Sequence, residues 1–101
     1  MDGVILTPLK KIPNANGDVL RAMKASDKGF VGFGEAYFSC LNQGATKGWK
    51  KHNKMTLNLI VITGEIKFVM YDERNYYEVI LSKDNYQRLT IAPGLWLAFK
   101  G

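Results

Sequence analysis

The chain has 101 residues, of which 47% are hydrophobic and 23% are charged, and its formal net charge is +5. This composition is typical of one globular domain with its own core, and it excludes disordered chains. No run approaches the ~20 apolar residues of a membrane-spanning helix, and the first residues lack the basic-then-apolar order of a secretory signal. Since one cysteine cannot form an internal disulfide, we expect a cytoplasmic protein with Cys40 as a small buried side chain.

Residues 1–18 contain prolines, asparagines and a glycine, which predict an extended arm with a turn at NANGD. Within this arm, residues 4–6 are apolar enough to form a short strand. Residues 19–23 suit either a helix or a strand, and we favour a strand because the neighbouring segments are strands. The aromatic residues in segment 29–39 do not hold a helical spacing, and its interior glycines indicate bulges or close backbone approach.

The stretch 47–71 joins a cluster of lysines and one histidine to two apolar segments that meet at Gly64. Each segment alternates apolar side chains with period two, which predicts two strands. The residues expected on the core face are Leu57, Leu59 and Val61 in the first strand, and Ile66, Phe68 and Met70 in the second. We expect the two strands to form a hairpin, whose apolar face the rest of the chain must cover.

Three more strands follow, each preceded by a turn signal. Residues 72–75 form a polar turn, and the next strand, 76–82, has Tyr77, Val79 and Leu81 on one face. A second turn at 82–85 precedes a strand containing Leu89 and Ile91, and the Pro93–Gly94 turn leads to the last strand, LWLAF. Short strands at this spacing predict an all-β sandwich or barrel. On the last strand either Trp96 or its neighbouring leucines face the core, and for Trp96 we favour a packing role.

The lysine cluster is the main candidate for ligand binding, and its members are Lys47, Lys50, Lys51 and Lys54. A local cluster of this kind suits a compact phosphorylated ligand at least as well as a nucleic acid, and it also occurs in solvated loops. Trp49, within the cluster, could stack on a base or sugar, or could close the end of the sandwich.

His52 is the candidate general base, because histidine is the side chain whose unperturbed pKa lies nearest neutrality. Lys50 could take that role if its neighbours favour its neutral form. A tyrosine turned inward could act as the acid, and Tyr37 is the candidate. One histidine is too few for a typical metal site, so we expect no metal.

The order of Lys47-Gly48-Trp49-Lys50-Lys51-His52, then LNLIVITGEIKFVMYDER, then VILSKDNYQRLTIAPGLWLAF resembles the sugar-nucleotide cupins. These are the dTDP-4-dehydrorhamnose 3,5-epimerases and the related sugar 3,4-ketoisomerases. The resemblance covers residue 29 to the end and implies a cupin-type jelly roll, typically dimeric, that acts on a dTDP-linked keto-sugar without a metal or other cofactor. We therefore expect residues 1–101 to form a single cupin-like domain.

The resemblance also implies site residues. Lys50 lies where the epimerases have their base histidine, and His52 lies where the ketoisomerases have the second histidine of a His-x-His pair. Glu35 falls at a matching position upstream. Further candidates for ligand binding are Lys47, Trp49, Lys28 and Asn58.

Three functions remain open from the sequence: a sugar-nucleotide epimerase or isomerase, a non-catalytic sugar-binding or ligand-binding module on the same fold, and a small nucleic-acid-binding β-barrel. The enzyme is our first hypothesis. The binding module is the alternative, because the chain ends before the family's acid tyrosine. The nucleic-acid binder ranks last, because the sequence has the charge for it but no recognised motif. Because an open sheet edge is a liability, we also expect a homodimer. Either residues 4–6 or the LWLAF strand would complete the partner's sheet.

Overall fold

The computed structural model describes residues 1–101 and contains nine β-strands and no helix. In chain order the strands are β1 (Val4–Pro8), β2 (Lys11–Ile12), β3 (Val19–Leu20), β4 (Thr46–Lys51), β5 (Leu57–Leu59), β6 (Glu65–Tyr71), β7 (Tyr76–Ser82), β8 (Gln87–Ile91) and β9 (Trp96–Lys100). The expected all-β architecture is confirmed. The structure therefore has no helix of the length and apolarity needed to cross a bilayer.

The strands form two main sheets and a small hairpin, and all pairings are antiparallel. One sheet has the order β1-β8-β5 and the other has the order β4-β9-β6-β7, while β2 pairs with β3. Side chains from both sheets meet in one apolar core, whose fully buried members include Met70, Leu81 and Leu89. The core therefore lies between the two sheets, as in a β-sandwich.

The alternation read from the sequence gives the correct core faces. Phe68 and Met70 of β6 are buried, and they pair across the sheet with Val79 and Tyr77 of β7, which pack against the same core. The polar turn between these strands is also as predicted, because the Asp72 carboxylate accepts hydrogen bonds from the backbone N–H groups that follow it. Local alternation and turn chemistry together determine this hairpin.

The predicted hairpin through Gly64 is wrong. Strand β5 pairs with β8 in the three-stranded sheet, whereas β6 pairs with β7 and β9 in the four-stranded sheet. Gly64, with φ of 75°, lies in a connection that crosses from one sheet to the other. Period-two alternation shows which face of a strand is buried but not which strand lies beside it, so both arrangements fit the same sequence pattern.

The other departures concern segment 21–45, which contains no strand. The predicted strand at 19–23 is reduced to the two residues of β3, and Cys40 is exposed rather than buried. Gly29 does mark a close approach of the backbone, since a Cβ there would lie 2.8 Å from Thr90 Oγ1. Several apolar residues of this segment are largely exposed, among them Val31, Phe33 and Phe38.

Buried polar groups hold the start of this segment against the outer face of the three-stranded sheet. The fully buried Arg88 donates to the backbone oxygens of Ala22, at 2.6 Å, and Lys28, at 3.0 Å. Tyr86 donates its hydroxyl to the Arg21 carbonyl at 2.8 Å, and burial raises the pKa of this phenol. Arg88 of β8 and Tyr86, which directly precedes β8, therefore fix residues 21–28 on the sheet.

Candidate functional site

An irregularity in strand β4 brings two lysines of the basic cluster to one face. Lys47 pairs with Phe99 and Lys50 pairs with Leu97, so three steps along β4 match two steps along β9. This is a β-bulge, in which two residues oppose one. In a regular strand, residues three apart point to opposite faces, whereas here Lys47 and Lys50 both lie opposite core-facing residues of β9.

Glycine is required at the bulge because Gly48 lies directly against β9. A Cβ at this position would lie 2.6 Å from the Ala98 Cβ and 2.7 Å from its Cα, and the backbone φ is 139°. An added side chain would therefore meet backbone that cannot move aside without separating the two strands.

His52 immediately follows β4 and is half-buried. Its carbonyl accepts a 2.7 Å hydrogen bond from the Gly94 N–H, which fixes the backbone at this point. Alternation continued past Lys51 predicts that His52 points to the same side as Lys50. The strand register places Lys47 and Lys50 on the side of β4 that faces the space between the sheets.

The Lys47 ammonium also organises the preceding segment. It donates to Ser39 Oγ and to the Cys40 carbonyl, both at 3.1 Å. A lysine ammonium has three donors, so one remains for a ligand. Two cationic groups beside an imidazole can bind an anionic ligand and hold or move a proton. No three His, Cys, Asp or Glu side chains converge in a way that could hold a metal ion.

Trp49 lies on the opposite face of the sheet. Its ring centroid is 6.3 Å from those of Tyr71 and Tyr76, and these two tyrosines stack at 4.4 Å. Trp96 completes the group, with Lys51 Nζ 5.7 Å above its ring. Trp49, Tyr71, Tyr76 and Trp96 line a depression of ≈ 380 Å³, and we call these four residues the aromatic face. The sequence left open whether Trp96 or its neighbouring leucines face the core. Because Leu97 is buried in the core, the leucines point inward and Trp96 points outward.

The remaining candidates lie outside the group around His52. Glu35 and Tyr37 are both exposed on the strandless segment. Lys28 is exposed, and its carbonyl is the acceptor for Arg88. Asn58 lies on β5, where its amide donates to the Gly29 carbonyl at 3.1 Å and its oxygen accepts from Thr90 at 2.6 Å. Both polar ends of Asn58 are thus used within the chain.

Comparison with solved structures places this architecture in a family. A dTDP sugar isomerase from Desulfovibrio desulfuricans G20 is 35% identical in sequence, with a TM-score of 0.94 over 99% of this chain and 69% of that chain. The chain belongs to the family of cupin-type dTDP-sugar isomerases. No protein-family model and no curated protein matches the sequence.

Other members of the fold have been solved with nucleotides bound. QdtA, a sugar 3,4-ketoisomerase from Thermoanaerobacterium thermosaccharolyticum in complex with TDP, has a TM-score of 0.84 at 22% identity, over 99% of this chain and 72% of its own. A histidine-to-asparagine mutant of QdtA in complex with TDP-4-keto-6-deoxyglucose has a TM-score of 0.81 at 20% identity, with the same coverage. At these identities the match establishes the shared cupin-type fold.

Sequence reasoning found the lysines and His52 but missed two features. Sequence reasoning did not single out Arg88, although it is fully buried. Tyr76 and Trp96 were not linked to Trp49, because the three residues come from separate strands. The available signal for Arg88 was its position between Tyr86 and Leu89, which are both buried.

Proposed function

We propose that the protein is a nucleotide-sugar isomerase or epimerase that binds a dTDP-linked keto-sugar in the space between its two sheets. The observation that carries this proposal is the 35% identity to a dTDP sugar isomerase across 99% of this chain. The half-buried His52 and the inward-facing Lys47 and Lys50 support it, because they provide a base and cationic groups beside the same space.

The chemistry needs a base next to the carbonyl. Removing the proton from a hydroxyl-bearing carbon next to the ketone leaves an enediolate. Returning a proton to the former carbonyl carbon, while the neighbouring hydroxyl gives up its proton and becomes the new ketone, moves the carbonyl. Returning it to the original carbon from the opposite face inverts that centre. We assign the base to His52. Lys50, as an ammonium, is suited to stabilise the oxygen that becomes negatively charged, because preorganised cations at a developing charge lower the barrier. Tyr37 stays the candidate acid.

The diphosphate would bind to lysines. Lys47 retains one free donor after its bonds to Ser39 and Cys40, and a phosphate oxygen can accept it. Binding at Lys47 would connect the ligand to the strandless segment that carries Glu35 and Tyr37. We therefore expect ligand binding to order residues 35–40 relative to the sheet.

Two measurements test the proposal. In a thermal-shift assay, TDP should raise the melting temperature, because a ligand that binds only the folded state stabilises it. With TDP-4-keto-6-deoxyglucose in heavy water, deuterium should enter the ring carbons next to the ketone. His52→Asn should slow this exchange by about 10² to 10⁴, the range typical of a lost general base. Lys50→Met should slow it as well, whereas the matched control Lys24→Met, in the segment held against the outer face of the three-stranded sheet, should not.

The outcomes separate the alternatives. Binding of the keto-sugar without exchange would identify a non-catalytic sugar-nucleotide binding module on the same fold. Stabilisation by an oligonucleotide and not by TDP would overturn the proposal in favour of nucleic-acid binding. Exchange at the wild-type rate in both His52→Asn and Lys50→Met would remove both residues from the chemistry.

We also propose that the protein is a homodimer. The two elements expected to complete a partner's sheet are differently placed in the structure. Strand β9 lies between β4 and β6 and has no free edge, so it cannot extend another sheet. Strand β1 already pairs with β8 of its own chain and keeps one open edge.

A further inference from the structure

The hairpin of β2 and β3 stands apart from both sheets. Its two strands pair only with each other, and residues 10–19 are all exposed. Cross-strand partners of an antiparallel pair share a face, and successive residues along a strand alternate between the two faces. The direction of one side chain therefore shows which way each face of the hairpin points.

The side of the hairpin that carries Lys11 faces the body of the protein. The Lys11 ammonium donates to the Lys83 carbonyl and lies 5.9 Å from the centroid of the Tyr86 ring. Leu20, the cross-strand partner of Lys11, is half-buried. This side is therefore the inner one, and the alternate residues point to solvent.

The outer side of the hairpin carries two apolar and two cationic side chains. Ile12 lies opposite Val19, and these side chains are 37% and 49% exposed. Lys10 lies opposite Arg21, since the Arg21 N–H donates to the Lys10 carbonyl at 2.9 Å. We call these four residues the hairpin face. Antiparallel strands normally turn apolar residues inward and polar residues to water, and here that order is reversed.

The hairpin face lies in the most basic part of the chain. Residues 9–28 and 83–88, which hydrogen bonds join, contain seven cationic and three acidic residues, so they account for +4 of the net charge of +5. Like charges directly opposite each other on a sheet are destabilising. Neither Lys10 nor Arg21 takes part in the two ion pairs of the chain, so both can bind an external anion.

We propose that the hairpin face binds the surface of a bilayer that contains anionic phospholipids. Lys10 and Arg21 would contact the lipid phosphates, and Ile12 and Val19 would enter the boundary between headgroups and acyl chains. An anionic bilayer attracts cations to its surface and removes apolar side chains from water, so it suits both halves of the face. The apolar pair favours a bilayer over a nucleic acid, which binds through cations together with polar or aromatic side chains. This inference goes beyond the isomerase proposal and does not depend on it.

Vesicle sedimentation with the 101-residue chain tests the proposal. The protein should sediment with vesicles of two parts phosphatidylcholine to one part phosphatidylglycerol, and should not sediment with vesicles of phosphatidylcholine alone. Raising the ionic strength from about 0.1 M to about 1 M shortens the screening length from about 10 Å to about 3 Å, so it should release most of the bound protein. Equal binding to the two kinds of vesicle, or binding to neither, would overturn the proposal.

A double variant, Lys10→Ser with Arg21→Ser, tests the charged half of the face. It should weaken binding by about 25-fold, because each cation near an anionic surface contributes about fivefold in affinity. The matched control, Lys54→Ser with Lys100→Ser, removes the same charge from exposed positions elsewhere and should change the affinity by less than about twofold. Equal losses in the two variants would show that the net charge of the chain governs binding, and the hairpin face would then have no special role.

A second double variant, Ile12→Ser with Val19→Ser, tests the apolar half. It should weaken binding by at least about tenfold, because the apolar side chains that leave water at the bilayer are lost. The control Ile62→Ser with Ile80→Ser changes two exposed apolar residues on other elements and should leave binding unchanged. All the changed residues are exposed, so every variant should keep its far-UV circular dichroism.

An oligonucleotide provides the last comparison. If the chain binds a duplex oligonucleotide more tightly than it binds the anionic vesicles, and Ile12→Ser with Val19→Ser binds both as the wild type does, the face recognises nucleic acid and the proposal is wrong. Weaker vesicle binding in both double variants, with wild-type binding in both controls, is the result that the proposal requires.

Discussion

Replacing Arg88 with methionine removes the charge that holds residues 21–28 on the three-stranded sheet while keeping a long apolar side chain in the buried site. Two hydrogen bonds from the guanidinium are lost, to Ala22 O at 2.6 Å and Lys28 O at 3.0 Å. Each bond from a charged donor contributes about 1.5 to 3 kcal/mol. The ion pair with Asp27, at 3.4 Å, is also lost.

Two effects reduce the cost of this change. Methionine avoids the desolvation of a buried guanidinium, one of whose nitrogens, Nε, has no partner. In addition, Ala22 and Lys28 are exposed, so their carbonyls can turn to water if the segment detaches. We therefore expect a loss of about 2 to 3 kcal/mol, less than the full sum of the bonds. For a domain of this size that corresponds to a melting temperature lower by roughly 10 to 20 °C.

Chemical denaturation and amide hydrogen exchange check this expectation. Exchange should accelerate in residues 21–29 of Arg88→Met, because their anchoring is lost. In the control Asp27→Asn the guanidinium keeps both carbonyl bonds and the amide oxygen can still accept from it, so the loss of stability should be smaller than in Arg88→Met. Wild-type stability in Arg88→Met would show that desolvation cancels the hydrogen bonds. An equal loss in Asp27→Asn would assign the stabilisation to the ion pair instead.

Two further substitutions test the β-bulge and the 72–75 turn. Gly48→Ala places a Cβ 2.6 Å from that of Ala98, at a φ of 139°. It should lower the free energy of unfolding by ~1 to 3 kcal/mol, measured by denaturation, and weaken TDP binding, measured by thermal shift. The control Gly34→Ala has open space and no positive φ, so it should change neither quantity. Backbone N–H groups, chiefly that of Asn75, lower the pKa of the Asp72 carboxyl from its ordinary value of 3.8. The ionised carboxylate therefore stabilises the fold fully above pH 3.8, and this contribution is lost as the pH falls through the lowered pKa. The difference in stability between the wild type and Asp72→Ala should therefore narrow in acid, as a pH series of urea denaturation will measure.

The sequence was most informative where structure is local. The hairpin of β6 and β7 depends on alternation within each strand and on a four-residue turn, and all of these are visible in 65–82. The pairing of β5 with β8 joins residues about 30 positions apart, and nothing in 57–64 distinguishes that partner from β6. Face assignments were therefore correct where pairing was not.

The same distinction applies to the site. His52 and Lys50 are near one another in the chain, so the sequence could group them. The role of Arg88 depends on carbonyls 60 and 66 positions away, and residue type does not reveal a backbone acceptor. The aromatic face depends on the order β4-β9-β6-β7, which brings Trp49 next to Tyr71 and Tyr76 only after the sheet has formed.

The β-bulge in β4 connects these observations. Without the extra residue, Lys47 and Lys50 would point to opposite sides of the sheet, and one of them would lie beside Trp49 instead of His52. With it, both lysines face the space between the sheets, while Trp49 is displaced onto the outer face. A single inserted position thus separates a basic inner face, suited to an anionic ligand, from an aromatic outer face. The lack of a side chain at Gly48 makes this insertion possible.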